Sequence, residues 1–185
     1  NGQRFVNEAN GYYDYVTAMV AKAPADEPVA SWLICSHGFQ RRYGLGISRP
    51  FPIPVSPFIK SGYLKSADTL EGLAHACGID AKGLRATVDA YNLHAPSGQD
   101  PAFGRGSTPY NRKQGDPLHQ PNPCVAPIEK GPFYAVKVEP GCFGTFAGLK
   151  VNEHAQVMSE AGEAIQGLYA VGTDMASIMG GYYPA

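Results

Sequence analysis

The chain closes with the sequence GLYAVGTDMASIMGGYYPA (residues 167–185). Residues 167–172 combine a turn, a short apolar strand and a glycine, and a loop of glycine, tyrosine and proline follows them without a helix. Glycine lets a ligand approach the backbone closely, and a strand that leads into such a loop is typical of a nucleotide-cofactor site. The stretch therefore predicts the edge of a cofactor site, which the end of the chain leaves open.

Bulk composition limits the classes of protein and of partner. With 185 residues, the chain is long enough to bury a core, as one domain or as one domain and a piece of another. Its formal net charge of −1 argues against nucleic acid or an anionic membrane as the main partner, since both select basic faces. No apolar run approaches the roughly 20 residues that span a bilayer.

The cysteines and histidines give no sign of a metal centre. The sequence has no CxxC pair and no HExxH spacing, so we assign no metal and expect buried free thiols in a reducing, cytoplasmic compartment. The four cysteines are Cys35, Cys77, Cys124 and Cys142.

The chain begins with Asn1 and shows no signal-peptide pattern, which predicts a piece of a longer protein.

The first third of the chain mixes short elements with a proline-rich loop. Residues 2–8 predict a short strand or turn, residues 13–22 a short helix, and the apolar run at 29–35 a buried strand. Residues 44–57 contain four prolines, which no regular helix tolerates. We expect a surface loop there, either ordered or acting as a lid.

Two helices have clear start and stop signals, at 68–77 and 81–95. Asp68-Thr-Leu-Glu71 is a capping box, in which Asp68 accepts from first-turn amides and Glu71 reaches back. Gly78 suits a left-handed C-cap, and Pro96 ends the second helix. The apolar positions of both helices follow helical spacing, which predicts core packing rather than a binding groove.

The second half alternates between loops and short strands. Residues 96–127 are polar and rich in glycine and proline, and we expect an excursion loop. Residues 133–139 alternate as a strand does, and 144–148 form a small-residue segment where backbone can lie close to a flat ligand. A short strand at 156–158 and a hairpin turn at 160–163 precede the closing strand, which we expect to begin at Gly167.

Several segments together resemble one family. In the order of the chain they are GQRFVNE (2–8), GPFYAVKVEPG (131–141), GTFAG (144–148), GLYAVG (167–172) and GGYYP (180–184). Their order and spacing resemble the FAD-dependent flavoproteins that include fumarate reductase and 3-ketosteroid Δ1-dehydrogenase. The likeness covers essentially the whole chain.

The resemblance implies an α+β fold and a division into two parts. Residues 1–143 would be a cap, or substrate, domain, and residues 144–185 part of the FAD-binding domain. The chain contains no GxGxxG fingerprint, so we expect the polypeptide alone to hold FAD weakly and to be inactive. Exposed strand edges then predict homo-oligomer formation, pairing with partner strands, or local disorder.

Two departures separate the branches of the family. The fumarate reductase branch carries an arginine soon after its NE pair and a histidine near the later glycine turn, whereas residues 10–14 and 142–145 contain neither. A dicarboxylate substrate needs such cations. The ketosteroid dehydrogenase branch has tyrosines, which Tyr12 and Tyr183 match, although the neighbouring Tyr13 and Tyr182 leave each assignment open by one residue.

The resemblance assigns roles to these tyrosines in dehydrogenating a small hydrophobic ketone such as a 3-ketosteroid. Tyr12 would be the base, and Tyr183 would stabilise the developing enolate. Thr173 and Asp174 would contact the cofactor, although Asp174 suits a helix N-cap equally well. The other predicted contacts are Gly144 and Gly172 for FAD, and Phe51, Phe58 and Tyr182 for the substrate. The alternatives are a fumarate reductase-like or other-substrate flavoprotein, or a binding domain without catalysis.

Overall fold

The computed structural model describes residues 1–144 and 147–182, which form two compact units. The first unit contains Asn1–Asn10 and Asp14–Glu139, and the second contains Gly11–Tyr13 and the segment from Pro140 onward. The predicted mixture of helices and strands is confirmed. The helices are α1 Tyr12–Lys22, α2 His37–Tyr43, α3 Ser56–Lys60, α4 Leu70–Cys77, α5 Ala81–His94 and α6 Pro109–Lys113; the strands are β1 Ser31–Ser36, β2 Leu64–Ala67, β3 Phe133–Val138, β4 Gln156–Met158 and β5 Ala164–Tyr169.

An antiparallel sheet in the order β1-β3-β2 is the centre of the first unit. Its register pairs Leu64 with Val136. Because side chains alternate along a strand, Phe133 and Ala135 join one core cluster while Tyr134 and Val136 join another. The first cluster contains the apolar stripes of α4 and α5, which are Leu70, Leu73, Ala74, Leu84 and Val88.

The proline-rich loop packs on the second cluster. Residues 44–55 form no regular helix, but α3 begins at Ser56, so the prediction for 44–57 is wrong for its last two residues. Pro57 is tolerated there because it lies in the first turn. Gln40 is fully buried and donates from Nε2 to Ser48 Oγ and to the Arg49 carbonyl, both at 3.0 Å. The half-buried residues that the loop and its flanks add to the cluster are Leu45, Val55, Phe58 and Tyr63.

The start of α4 differs from the predicted capping box. Thr69 is the N-cap, and its Oγ1 accepts from the Gly72 amide at 3.0 Å. The prediction that Asp68 caps the helix is therefore wrong by one residue. Glu71 accepts from Arg85 Nε of α5 at 2.8 Å, so its carboxylate joins the two helices rather than reaching back.

The other helix signals are confirmed, whereas α2, α3, α6 and β2 escape prediction. Gly78 has φ +68° at the end of α4, and the Asp80 side chain accepts from two amides at the start of α5. Helix α2 carries no apolar stripe at helical spacing. Strand β2 has only four residues, too few to show an alternating pattern.

The excursion at 96–127 is an ordered loop that contains α6. Backbone N–H and C=O groups in and beside this loop bond to asparagine side chains instead of to a helix or sheet neighbour. Asn122 donates from Nδ2 to the Gly98 carbonyl at 2.9 Å and accepts from the Cys124 amide at 3.0 Å. Asn92 exchanges two such bonds with the backbone of Ile128, at 2.8 and 2.9 Å.

The second unit is built around the β4–β5 hairpin, which pairs Gln156 with Tyr169. The closing strand was expected to begin at Gly167, but β5 begins at Ala164 because pairing with β4 starts there. It ends at Tyr169, and a short 3₁₀ turn occupies Gly172–Asp174. The expectation of a strand reaching Gly172 is corrected accordingly.

The cysteines also differ in part from expectation. None is in a disulfide, and Cys35 is buried beneath the proline-rich loop, but Cys142 is exposed in the segment that follows β3. In residues 1–144 and 147–182, no helix is long and apolar enough to cross a membrane. The same described residues contain no group of three or more histidine, cysteine or acidic side chains placed to hold a metal ion.

Candidate active site

Tyr12 and Tyr13, at the start of α1, lie in the second unit with the segment that follows residue 139. The Tyr13 hydroxyl donates to the Gly181 carbonyl at 2.9 Å. The Tyr13 and Tyr182 rings meet edge to face with centroids 5.1 Å apart. One unit thus brings together the tyrosines that the sequence marks near residue 12 and the loop that it marks near residue 182.

The two adjacent tyrosines have different surroundings. Tyr12 packs edge-on against Phe143, with ring centroids 6.1 Å apart, and 47% of its surface is exposed. The Tyr13 hydroxyl bonds to the backbone of the final loop. Tyr183, the predicted enolate-stabilising residue, lies outside the described residues, as do Thr145 and Phe146 of the predicted small-residue segment.

The predicted cofactor residues lie on backbone that a planar ligand can approach. A Cβ built on Gly144 or Gly172 would have no neighbouring atom within 4 Å. Thr173 and Asp174 belong to the 3₁₀ turn, and the Asp174 carbonyl accepts from the Leu149 amide at 2.8 Å. Asp174 therefore lies inside a turn rather than at the start of an α-helix.

The predicted substrate residues of the proline-rich loop have different environments in the first unit. Phe51 is 74% exposed, and the Arg41 guanidinium lies 5.4 Å from its ring centroid. Phe58 is half-buried and packs against Tyr63, with ring centroids 6.4 Å apart, over the second core cluster. Phe51 is thus available at the surface, whereas Phe58 also serves the core.

Comparison with known proteins identifies the family. Residues 1–185 match the model of the FAD binding domain family. The chain belongs to this family. The resemblance to the flavoproteins that include 3-ketosteroid dehydrogenases and fumarate reductases is confirmed, and so is FAD as the cofactor.

Two curated relatives match this chain from end to end. The chain is 46% identical over 184 residues to 4-oxocyclohex-2-ene-1-carboxylate 5-dehydrogenase of Sinomonas cyclohexanicum, covering 100% of this chain and 31% of that protein. It is 34% identical over 189 residues to 3-oxosteroid 1-dehydrogenase of Mycolicibacterium smegmatis, covering 100% of this chain and 33% of that protein. The chain thus spans about a third of the length of these relatives.

Solved flavoenzymes share the fold. The 3-ketosteroid Δ1-dehydrogenase of Sterolibacterium denitrificans, in complex with 1,4-androstadiene-3,17-dione, is 39% identical with a TM-score of 0.86, over 97% of this chain and 32% of that one. An open conformation of a flavocytochrome c3 fumarate reductase is 27% identical with a TM-score of 0.54. The match covers 97% of this chain and 27% of that one. The chain is therefore part of an FAD-dependent oxidoreductase family.

The described residues of the second unit fit a flavin. The final loop combines glycines whose Cβ positions are open with apolar side chains that face outward. Val171 is 67% exposed and Ile178 is 89% exposed. An isoalloxazine ring is flat and largely apolar, so unobstructed backbone beside apolar side chains suits it.

Sequence reasoning missed a polar network that holds the residues before Tyr12. Asn111 of α6 is fully buried and bonds to Asn7, Ala9 and Asn10. Arg4 bonds to Glu8 and to Asp100. The only signals in the sequence are Thr108 and Pro109, which mark the start of α6. No local pattern pairs that helix with residues 100 positions away.

Proposed function

We propose that the full-length protein is an FAD-dependent dehydrogenase that desaturates a cyclic ketone beside its carbonyl, with 3-ketosteroids as the substrate class. The observation that carries the proposal is the hydrogen bond from Tyr13 to the Gly181 carbonyl. It places the start of α1 and the final glycine–tyrosine loop in one unit. The 3-oxosteroid 1-dehydrogenase relatives and the likeness to the steroid-bound dehydrogenase support the substrate class.

Tyr12 is the proposed base. Dehydrogenation removes a proton from the carbon next to the ketone, and bound FAD supplies the acceptor for the accompanying hydride. A phenol has an ordinary pKa near 10, so the base needs a neighbouring donor or positive charge to act near neutral pH. The resemblance to the ketosteroid dehydrogenase branch implies Tyr12 as this base, with Tyr13 as the neighbouring alternative.

Tyr183 is the proposed donor to the ketone oxygen. A hydrogen bond at that oxygen stabilises the charge that develops as the neighbouring proton leaves. Tyr182, the residue before Tyr183 in the sequence, is 43% exposed and packs on Tyr13. It would contact the substrate. Phe51 and Phe58 would add apolar walls, with Phe51 the more accessible of the two.

Four residues are the proposed contacts to FAD. Gly144 and Gly172 would let the ring system approach the backbone, since each leaves open space at its Cβ position. Thr173 and Asp174 would hydrogen-bond to the polar chain of the cofactor from their 3₁₀ turn. Their side chains are exposed and so are available to a ligand.

The domain roles belong to the same proposal. Residues 1–143 would act as the cap domain and residues 144–185 as part of the FAD-binding domain. A cytoplasmic location, homo-oligomer formation through strand edges, and inactivity of these 185 residues on their own all remain predictions.

A monocyclic oxo acid is the second candidate substrate. The 46% identity to 4-oxocyclohex-2-ene-1-carboxylate 5-dehydrogenase favours it, since that value exceeds the 34% found for the steroid enzyme of M. smegmatis. Both reactions desaturate a ring beside a ketone, so the proposed base and donor serve either one. The carboxylate would need a cationic partner that a steroid does not need.

A substrate panel tests the proposal. The full-length flavoprotein would be mixed with an artificial electron-accepting dye and with 4-androstene-3,17-dione, 4-oxocyclohex-2-ene-1-carboxylate, or neither. Reduction of fumarate would be followed separately with a reduced dye. We expect dye reduction with the steroid and formation of the 1,4-diene. Turnover of only the oxo acid would favour the second candidate, and turnover of fumarate alone would contradict the proposal.

A further inference from the structure

Asn111 lies at the centre of a polar network between the excursion loop and the N-terminal segment. Its side chain is fully buried. Oδ1 accepts from Asn7 Nδ2 at 3.0 Å and from the Gly106 amide at 3.2 Å. Nδ2 donates to the Ala9 carbonyl and to Asn10 Oδ1, both at 3.0 Å. All four hydrogen-bonding positions of the carboxamide are therefore used.

The Asn111 backbone is held as firmly as its side chain. Thr108 caps α6 by accepting from the Asn111 amide at 3.1 Å, and Cys124 Sγ donates to the Asn111 carbonyl at 3.0 Å. Pro109 occupies the first turn, where its missing N–H costs nothing. The bonds within the excursion loop thus hold the Asn111 backbone independently of the N-terminal segment.

The bonds that Asn111 donates reach the chain just before the proposed base. Ala9 and Asn10 are followed by Gly11 and then by Tyr12. Gly11 has no Cβ, so its backbone can adopt conformations that its neighbours rarely adopt. Ala9 and Asn10 also donate from their amides to Asn7, at 3.0 and 3.1 Å. Asn7 in turn donates to Asn111 Oδ1, so Asn111 supports this segment both directly and through Asn7.

We propose that Asn111 is a positioning residue, which holds the chain that leads into Tyr12 through its hydrogen bonds to Ala9 and Asn10. The proposal rests on the role assigned to Tyr12 above. A base must lie within hydrogen-bond reach of the proton that it removes, and a misplacement of about 1 Å costs roughly 100-fold in rate. Asn111 is not proposed to contact substrate or cofactor, and it acts through the Ala9 carbonyl and the Asn10 side chain.

The test compares Asn111→Ala with Asn92→Ala in the full-length flavoprotein. Asn92 is also an asparagine that pairs loop backbone, but its bonds go to Ile128 and not to the N-terminal segment. We expect kcat for the ketone to fall about 100-fold in Asn111→Ala, with KM within about threefold of the wild-type value. Asn92→Ala should keep both within about threefold. A retained kcat in Asn111→Ala, or an equal fall in both variants, would overturn the proposal.

Asn10→Ala provides a milder variant if Asn111→Ala does not fold. Asn10 is exposed, and its substitution removes only one of the two donated bonds. We expect kcat to fall about three- to tenfold, with the thermal midpoint unchanged. An unchanged kcat in Asn10→Ala would count against the positioning role.

Hydrogen exchange separates failure of this inference from failure of the proposed function. If the wild-type protein dehydrogenates no ketone, the proposed function is wrong, and exchange at the amides of residues 9–14 decides the positioning role. Exchange there should rise about tenfold in Asn111→Ala and stay unchanged in Asn92→Ala. Equal exchange in the wild-type protein and Asn111→Ala would overturn the inference whatever the activity.

Discussion

Arg4 and Asp100 are joined end to end by two parallel hydrogen bonds, from Nη1 to Oδ1 at 2.7 Å and from Nη2 to Oδ2 at 2.8 Å. The same guanidinium donates to Glu8 through Nε and Nη2, at 2.8 and 2.7 Å. It also lies over the rings of Tyr91 and Phe103. Arginine is suited to such a place because its planar fork serves two carboxylates at once. The cluster ties the N-terminal segment to the excursion loop beside the Asn111 network.

Replacing Asp100 should weaken the fold substantially. The Asp100 side chain is only 2% exposed, so Asp100→Asn leaves a half-buried Arg4 with one anionic partner fewer. We expect the free energy of unfolding to fall by roughly 2–3 kcal/mol, measured by urea denaturation of the full-length protein. Asp89→Asn is the control, because Asp89 is 61% exposed and lies 3.7 Å from Arg85. Equal losses in the two variants would contradict the account.

The same carboxylate should make the protein sensitive to acid. Burial by itself raises the pKa of Asp100. The hydrogen bonds and charge of Arg4 lower it by more, so the pKa lies below its ordinary value. A carboxylate whose folded pKa is lowered stabilises the fold above its unfolded pKa of about 3.9 and loses that contribution as the pH falls. Below about pH 4, the thermal midpoint of the wild-type protein should therefore approach that of Asp100→Asn. A gap between the two that stays constant from pH 6 to pH 2 would refute this.

The cysteines should differ sharply in reactivity. Burial raises the pKa of Cys35 to about 12 and that of Cys77 to about 11, whereas Cys142 is exposed. Since the thiolate is the reactive form, iodoacetamide at pH 8 should modify Cys142 first and Cys35 last, as peptide mass spectrometry would record. Denatured protein provides the control, in which all of them should react alike. Early labelling of Cys35 in the folded protein would show that it is not buried as described.

Two glycines with the same backbone angle should respond differently to alanine. Gly106 and Gly62 both have φ +79°, which strains any residue with a Cβ. A Cβ on Gly106 would overlap the side chain of Asn122, which cannot move without losing its bonds to the loop, whereas Gly62 has open space. We expect Gly62→Ala to cost about 1 kcal/mol and Gly106→Ala about 3 kcal/mol in urea denaturation. Similar losses of unfolding free energy in the two variants would mean that the Asn122 side chain moves aside at little cost.

The sequence predicts those elements whose signals are local. Helix α5 has an N-cap at Asp80, apolar spacing and a proline after it, and β3 alternates, so both appear as predicted. Helix α2 escaped prediction because HGFQRRY shows no apolar stripe, although Ser36 caps it. At the start of α4, Asp68 and Thr69 are both suitable caps, and only the backbone of Thr69 places its oxygen beside the Gly72 amide.

The candidate site is predictable only where motifs mark it. The tyrosines near residues 12 and 182 stand in motifs, and the structure brings Tyr13 and Tyr182 together as neighbours. Asn111 bears no such mark, because its partner Asn7 lies 104 residues away and only tertiary closure creates the bond. Phe58 looks the same in the sequence as an exposed aromatic, and its packing against Tyr63 becomes visible only in the fold.

The most direct test of the central claim is the rate at which a 3-ketosteroid reduces the enzyme-bound flavin in Tyr12→Phe, with Tyr13→Phe as the matched control. Measured without oxygen in the full-length protein, the rate should fall about 1,000-fold in Tyr12→Phe, because the general base is lost. Tyr13→Phe removes the hydroxyl that bonds to Gly181 and should stay within about tenfold of the wild-type rate. A wild-type rate in Tyr12→Phe, or the large loss in Tyr13→Phe instead, would contradict the assignment of Tyr12 as the base.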